Sequence, residues 1–419
     1  MNNEIIDIAI VGAGAAGLMT AIGAGRLRQN WPDSPSKHSI FLFDCRNKIG
    51  AKILISGGTR CNVTNREVRP SDYQGAAHHY LKHVFEAFTP AETIRFFEEI
   101  GVALVLEPTG KYFPTTHSGR TVLEALLKEL DRLQVSLVTD IKIKEIEKKD
   151  EYFGLKSENT TIRARRVVLA TGGLSYPETG SDGTGLRIAE RLGHTVKPTC
   201  PALTPLTTAD ADWQSLTGIT VEAKLCFFSA GKKRAQSTGS FLFTHFGFSG
   251  PAALDLSRHF AASNAEGRQV EASFLPEQSE ETVLKKLKSA AGSKQLVQNF
   301  LSEKFSLPAR LSETLVKKAA LGPEKSMKDM SPAGCSRLAQ MLLHAPLGVT
   351  GVVGYKKAEV TAGGVDLRDV HVSTLESKRV PGLFFAWEIL DVDGRIGGFN
   401  FQWAWSSGVV AGRGVMKSL

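Results

Sequence analysis

Ile5-Ile6-Asp7-Ile8-Ala9-Ile10-Val11-Gly12-Ala13-Gly14-Ala15-Ala16-Gly17 is the stretch from which the rest of the chain is read. Its aliphatic residues run without polar alternation, as in a strand buried on both faces, and pass directly into closely spaced glycines and an Ala/Leu/Ile-rich helical stretch. This pattern predicts a nucleotide site. Gly12 lets the strand turn sharply, Gly14 lets the backbone approach a pyrophosphate, and Gly17 lets the helix pack closely on the strand. The amides at the helix start, Ala15 and Ala16 among them, then face an anion.

Three glycines alone carry little weight, but their context is the one the motif requires. A second apolar run, Ser39-Ile40-Phe41-Leu42-Phe43, ends in Asp44, an acid placed to accept hydrogen bonds from a ribose hydroxyl. Asp44 comes later than the usual ~20 residues after the glycines, because a Pro/Ser/Asn-rich loop from Gln29 to His38 lengthens the turn. An acid there favours an unphosphorylated adenosine ribose, hence FAD or NAD over NADP.

At 419 residues the chain has room for two or three domains. Its 42% hydrophobic and 22% charged residues are those of a soluble globular protein, and no apolar run reaches the ~20 residues of a membrane span. With no signal-type start, a cytoplasmic location is expected. Cys45, Cys61, Cys200, Cys226 and Cys335 form no Cys-x-x-Cys pair, so neither a disulfide framework nor a metal site is expected, and the paired redox cysteines of disulfide reductases are missing. The net charge of +8 permits an acidic partner such as RNA, and equally a basic solvated surface.

From Ile49 to Asn65 the chain is too rich in glycine and small polar residues for a packed helix. It reads as a loop wrapped around a ligand, with Arg60 as a fixed cation and Asn62, Thr64 and Asn65 as directional hydrogen-bonding groups. A helical pattern covers Tyr80 to Ile100, with a start at Pro90 behind the cap candidate Thr89. Arg166 to Leu169 is another buried strand, leaving through Ala170-Thr171-Gly172-Gly173. Gly180-Ser181-Asp182-Gly183-Thr184-Gly185 follows no strand and reads as a turn before a helix. Between Lys197 and Leu347 alternating segments predict antiparallel strands, then a Lys/Glu/Leu-rich region predicts helices. Near the end, Gly382 to Asp391 reads as a strand ending in acids, followed by Gly394, Gly397, Gly398 and Asn400 and a helix from about Gln402. In a flavoprotein Asp391 would meet the ribityl chain, and the amides of that helix start would lie by the flavin carbonyl edge.

Ser56 to Asn65 (Ser-Gly-Gly-Thr-Arg-Cys-Asn-Val-Thr-Asn), Ala170 to Ser181, Phe243-Thr244-His245-Phe246-Gly247-Phe248-Ser249-Gly250-Pro251 and Gly397-Gly398-Phe399-Asn400 together resemble the YhiN/BaiN-type bacterial flavoproteins, the aminoacetone-oxidase family of FAD enzymes. The resemblance runs from the first strand to the last helix. It implies an α/β fold, with a doubly wound Rossmann-like FAD-binding domain made from both ends of the chain, an inserted β-barrel-like domain and a small helical domain. The expected boundaries are 1–196 and 366–419 for the FAD domain, 197–275 and 344–365 for the barrel and 276–343 for the helices. It also implies non-covalent FAD held by Gly12 to Gly17, Asp44, Gly50, Lys52, Ser56, Gly57, Gly58, Arg60, Cys61, Asn62, Thr171, Gly172, Gly173, Asp391, Gly397, Gly398, Phe399 and Asn400. Two positions depart from the family: Thr59 stands where it usually has a third glycine, and Trp387 where it has glycine before the glutamate.

The family is linked to reduction of a ribosomal RNA uridine to dihydrouridine, to small-molecule amine oxidation and to reduction of an unsaturated steroid ring. The basic pairs and triplets Lys232-Lys233-Arg234, Lys285-Lys286, Lys317-Lys318 and Lys356-Lys357 favour RNA, although lysines on solvated helix faces look the same. For the proton donor the candidates are Cys61, beside the cation Arg60, which would lower a thiol pKa, and His245. Tyr112, Phe113, Phe246, Phe248 and Trp387 are candidates for holding a flipped base. No second dinucleotide fingerprint of comparable quality is present, so NAD(P)H is expected as a transient external reductant. An oxidase passing electrons to O2, or a flavin-bearing assembly factor without turnover, are the alternatives.

Overall fold

A computed structural model describes residues 4–30, 38–264 and 266–419; the loop read between Gln29 and His38 lies, from 31 to 37, outside the described residues. Strand β1 (Ile5–Val11) runs parallel between β2 (Ile40–Phe43) and the strand Thr161–Leu169, with Ile10 opposite Leu42 on one side and Val168 on the other. Ser136–Val138 extends this parallel core beyond β2, and Leu383–Phe385 extends it beyond Thr161–Leu169. Short antiparallel strands at the edges complete a 9-stranded sheet. Ile8, Ala9 and Ile10 are fully buried, which is why β1 shows no alternation.

Helix α1 (Ala15–Gln29) packs along the last helix, Phe399–Lys417. The two backbones approach so closely that a Cβ on Gly412 would lie 2.3 Å from the Thr20 carbonyl oxygen. Trp403 and Trp405 of the last helix are fully buried, and the Trp405 indole donates to the Val63 carbonyl at 2.9 Å. The helical pattern from Tyr80 is two helices, His78–Ala87 and Pro90–Glu99. The second starts in a capping box: the Thr89 hydroxyl accepts from the Glu92 amide (3.2 Å) and the Glu92 carboxylate accepts from the Thr89 amide (2.7 Å).

Where the sequence predicted boundaries at 197, 276, 344 and 366, the contacts divide the chain into two compact units, residues 1–200 with 359–419, and 201–358. The second unit holds a 7-stranded antiparallel sheet whose long hairpin joins Thr220–Ser229 to Lys232–Thr244. The helices Glu280–Ser289, Val297–Phe305, Ala309–Lys318 and Pro332–Leu343 share one apolar core with that sheet, in which Trp213, Phe243, Leu301 and Leu338 are fully buried. Among the described residues no helix is long and apolar enough to cross a membrane.

Candidate active site

The turn after β1 is built by close approach. Gly12 has φ +105°, and a Cβ there would lie 2.5 Å from the Ala170 carbonyl oxygen; on Gly17 it would lie 1.8 Å from the Gly12 carbonyl oxygen. Gly14 differs. It caps α1 without a side-chain hydrogen bond, and a Cβ on it would meet nothing nearer than Trp387 Cζ3 at 3.7 Å. Its bare face is therefore a cradle, with the first helix amides behind it. Asp44 accepts from the Ala13 amide (2.6 Å) and the Arg46 amide (2.8 Å), so it fixes this loop while lone pairs remain for a ligand. Burial pushes its carboxyl pKa up, against the pull of those amides.

Gly12, Gly14, Asp44, Gly50, Lys52, Thr171 and Gly172 line one cavity. Ala13, Ala15, Ala16 and Gly17 are absent from its lining, three of them with no exposed surface. Gly180, Ser181, Asp182 and Thr184, which looked like a turn only, line it as well. Sequence reasoning passed them over because no strand precedes them.

A second cavity takes Lys52, Ser56, Gly57, Arg60, Asn62, Gly397, Gly398 and Asn400 from the predicted set, with Lys111, Phe113, Tyr176, Glu359 and Phe401 added. Arg60 is a fixed cation, paired with Glu107 at 2.6 Å and 4.0 Å above the Phe113 ring. Asn62 and Asn65 each bond to the turn that leads into the last helix: Asn62 accepts from the Gly398 amide at 2.9 Å, and Asn65 donates to the Gly397 carbonyl at 2.9 Å. Phe399 and Gly173 are buried and outside both linings, and Gly58 is exposed and outside both. Thr59 has φ +72°, a left-handed conformation that strains a β-branched residue and explains glycine at that place in the family. Thr59→Gly is expected to raise unfolding stability by about 1 kcal/mol, strain relief outweighing the added freedom of the unfolded chain, as checked by the urea midpoint.

Beneath the two cavities lies a polar network that the sequence did not reveal. Glu388, with no exposed surface, pairs with Lys52 at 2.6 Å, accepts from the Thr361 amide (3.0 Å) and hydroxyl (2.8 Å), and accepts from the Ser175 hydroxyl. Thr361 in turn receives the amides of Leu174 (2.8 Å) and Ser175 (3.0 Å), so one buried carboxylate fixes the Gly172-to-Ser175 turn and Lys52 together. Asp391, the acid expected at the ribityl chain, lines neither cavity and is paired with Lys197 at 2.6 Å. Trp387 lines both cavities. Its φ of +64° is again one that glycine tolerates best.

The HI0933-like protein Rossmann domain family matches residues 6–414. The chain belongs to this family. The 3-dehydro-bile acid delta(4,6)-reductase of Clostridium scindens is 32% identical over 411 residues, 97% of this chain and 98% of that protein. The ribosomal RNA dihydrouridine synthase of Escherichia coli is 33% identical over 407 residues, 96% of each. Among solved structures, 3-ketosteroid delta1-dehydrogenase from Sterolibacterium denitrificans superposes with a TM-score of 0.50 at 12% identity, covering 99% of both chains, a likeness of fold.

As an HI0933-like protein the chain is an FAD-dependent oxidoreductase with a Rossmann-type fold. The residues fit that cofactor. Gly14 offers a bare face for the pyrophosphate and Asp44 spare lone pairs for the ribose, and the second cavity has room and aromatic walls for a flavin ring. Cys61 is fully buried and lines neither cavity. Its thiol, expected to be lowered by Arg60, is instead pushed up to about 12 by burial, because the Arg60 guanidinium is turned to Glu107 and Phe113. His245 lies exposed in the turn between Lys232–Thr244 and Gly247–Ser249 of the second unit, edge-on to Phe246. Phe248 is fully buried in that unit's core, and Tyr112 is a half-buried strand residue paired with Thr64. Among the described residues no group of three or more His, Cys, Asp or Glu can hold a metal ion.

Proposed function

We propose that this enzyme reduces a uridine of ribosomal RNA to dihydrouridine in the cytoplasm, with NAD(P)H as the external reductant. The second cavity carries the reading. It combines the basic side chains Lys52, Arg60 and Lys111 with the aromatic faces of Phe113, Tyr176 and Phe401, a lining suited to the flavin ring and to a flat substrate ring bearing carbonyl oxygens laid against it. When bound and reduced, FAD supplies the hydride. The substrate double bond is conjugated to a carbonyl, so hydride adds to the far carbon and the carbon beside the carbonyl needs a proton. Tyr176 is the group we assign to give it. Burial and the charge of Glu359 raise its phenol pKa, so the O–H remains protonated at neutral pH. The Lys111 ammonium of the lining meets the negative charge that grows on the carbonyl oxygen, and solvent returns the proton to the phenolate.

The RNA part of the reading is supported by the hairpin tip Lys232-Lys233-Arg234, which is exposed. Lys317 and Lys318 do not add to it, since they pair with Asp212 (2.5 Å) and Asp210 (2.6 Å). Each phosphate neutralised by such cations on a single strand steepens the salt dependence of binding by roughly 0.7 in log–log slope. Mass spectrometry of ribosomal RNA from cells with and without the gene tests the substrate. Loss of a single dihydrouridine, restored by the wild-type chain and not by Gly14→Glu, is the expected result. Unchanged RNA sinks the uridine reading. The second reading is then a small conjugated ketone, favoured by the apolar lining residues Ile55, Ile396 and Phe401, and its sign is flavin reoxidation by the ketone without RNA. Amine oxidation is distinguished by peroxide release.

A further inference from the structure

Among the described residues the two cavities share two lining residues, Lys52 and Trp387. A dinucleotide with its phosphates against Gly14 and its ring in the second cavity has to cross that wall. The indole stands on the route, its Cζ3 3.7 Å from where a Cβ on Gly14 would be, over the face that Gly14 leaves bare. Two contacts hold it there. The Phe401 ring is stacked on it at 6.4 Å and 27°, and the Lys52 ammonium lies 5.2 Å from its centroid.

One penalty opposes those contacts: the Trp387 Nε1 is buried with no hydrogen-bond partner while the residue is 6% exposed. An outward turn returns Nε1 to water and opens the route beside Lys52, whose ammonium stays paired with Glu388. The inward position is therefore held by a ring stack and a cation–π contact against an unmet donor, which is the balance a two-position side chain needs.

We propose that Trp387 is a built-in competitor for the cofactor. Its indole and the span of FAD between pyrophosphate and flavin ring take the same space, and FAD binds to chains whose indole has turned away. The apparent affinity is then the intrinsic affinity reduced by the fraction of chains with the indole out, and the turn precedes binding. Glycine at this position keeps the left-handed backbone and removes the competitor.

The test uses the full-length enzyme, its flavin removed by dialysis, mixed rapidly with excess FAD while quenching of flavin fluorescence is followed. For the wild type the observed rate levels off as FAD is raised. For Trp387→Gly it rises linearly, and the dissociation constant falls by about tenfold or more. Equal rates and affinities in the two proteins overturn the competitor and leave FAD binding intact, whereas FAD binding to neither overturns both. Should the variant not fold, the wild type decides alone: a rate linear in FAD to the highest concentration overturns the proposal.

Discussion

Glu388→Ala is expected to destabilise the chain by about 3–5 kcal/mol, because it removes one partner of a buried ion pair and leaves the other in place. Four groups lose an acceptor together: the Lys52 ammonium, which keeps only the Ser175 oxygen, the Thr361 amide, the Thr361 hydroxyl and the Ser175 hydroxyl. Lys52 retains little access to water, its side chain being 11% exposed, so solvent does not replace the carboxylate. Glu388→Gln keeps the shape and the acceptor oxygen but not the charge, and should fall between wild type and alanine. Urea unfolding, read together with FAD content, checks the order. A loss within ~0.5 kcal/mol for the alanine variant would show the site to be hydrated and the network slack. The damage should also reach the cofactor, since the same carboxylate fixes the Gly172-to-Ser175 turn and Lys52.

Tyr176→Phe should slow the reductive step by ~10²–10⁴-fold while FAD content and its spectrum stay as in wild type. The ring that packs in the second cavity is kept and the transferable proton is lost. The pH profile carries the same information. Because burial and Glu359 raise the phenol pKa, the wild-type rate should hold past the usual phenol value of about 10 and fall only beyond it, while the residual phenylalanine rate lacks that fall. Cys61→Ala, at a thiol that lines neither cavity, should leave the rate at the wild-type level. The reverse pattern, a tyrosine variant at full rate and an alanine variant without activity, removes Tyr176 from the chemistry.

What could be read in the sequence was what lies close along it. Gly12, Gly14 and Gly17 announce a turn because their tasks depend on spacing within one strand–helix junction, and Asp44 follows from the next strand end. The two acids after Leu383–Phe385 could not be told apart in this way. Glu388 holds the cavity residue Lys52 while Asp391 pairs with Lys197, and the difference is made by Thr361 and Ser175, 27 and 213 residues from Glu388. Cys61 misled for a similar reason. Its neighbour in sequence is a cation, but the charge is spent on Glu107, 47 residues from Arg60, and the thiol is left in a dry interior. Thr59 and Trp387 were visible as departures, whereas the positive φ that makes each one costly needed the backbone.

The stitching of the Asn62-to-Asn65 loop to the last helix also sets an order of assembly. Asn65 and Gly397 are 332 residues apart, and at the pace of translation that distance corresponds to on the order of tens of seconds. Throughout that interval β1, its glycine turn and α1 are already synthesised while the helix that covers them is still inside the ribosome or not yet made. The residues of 201–358, contiguous and with a core of their own, are complete earlier. The nascent chain thus carries an uncovered apolar helix face until Phe399–Lys417 has been made and can pack on it.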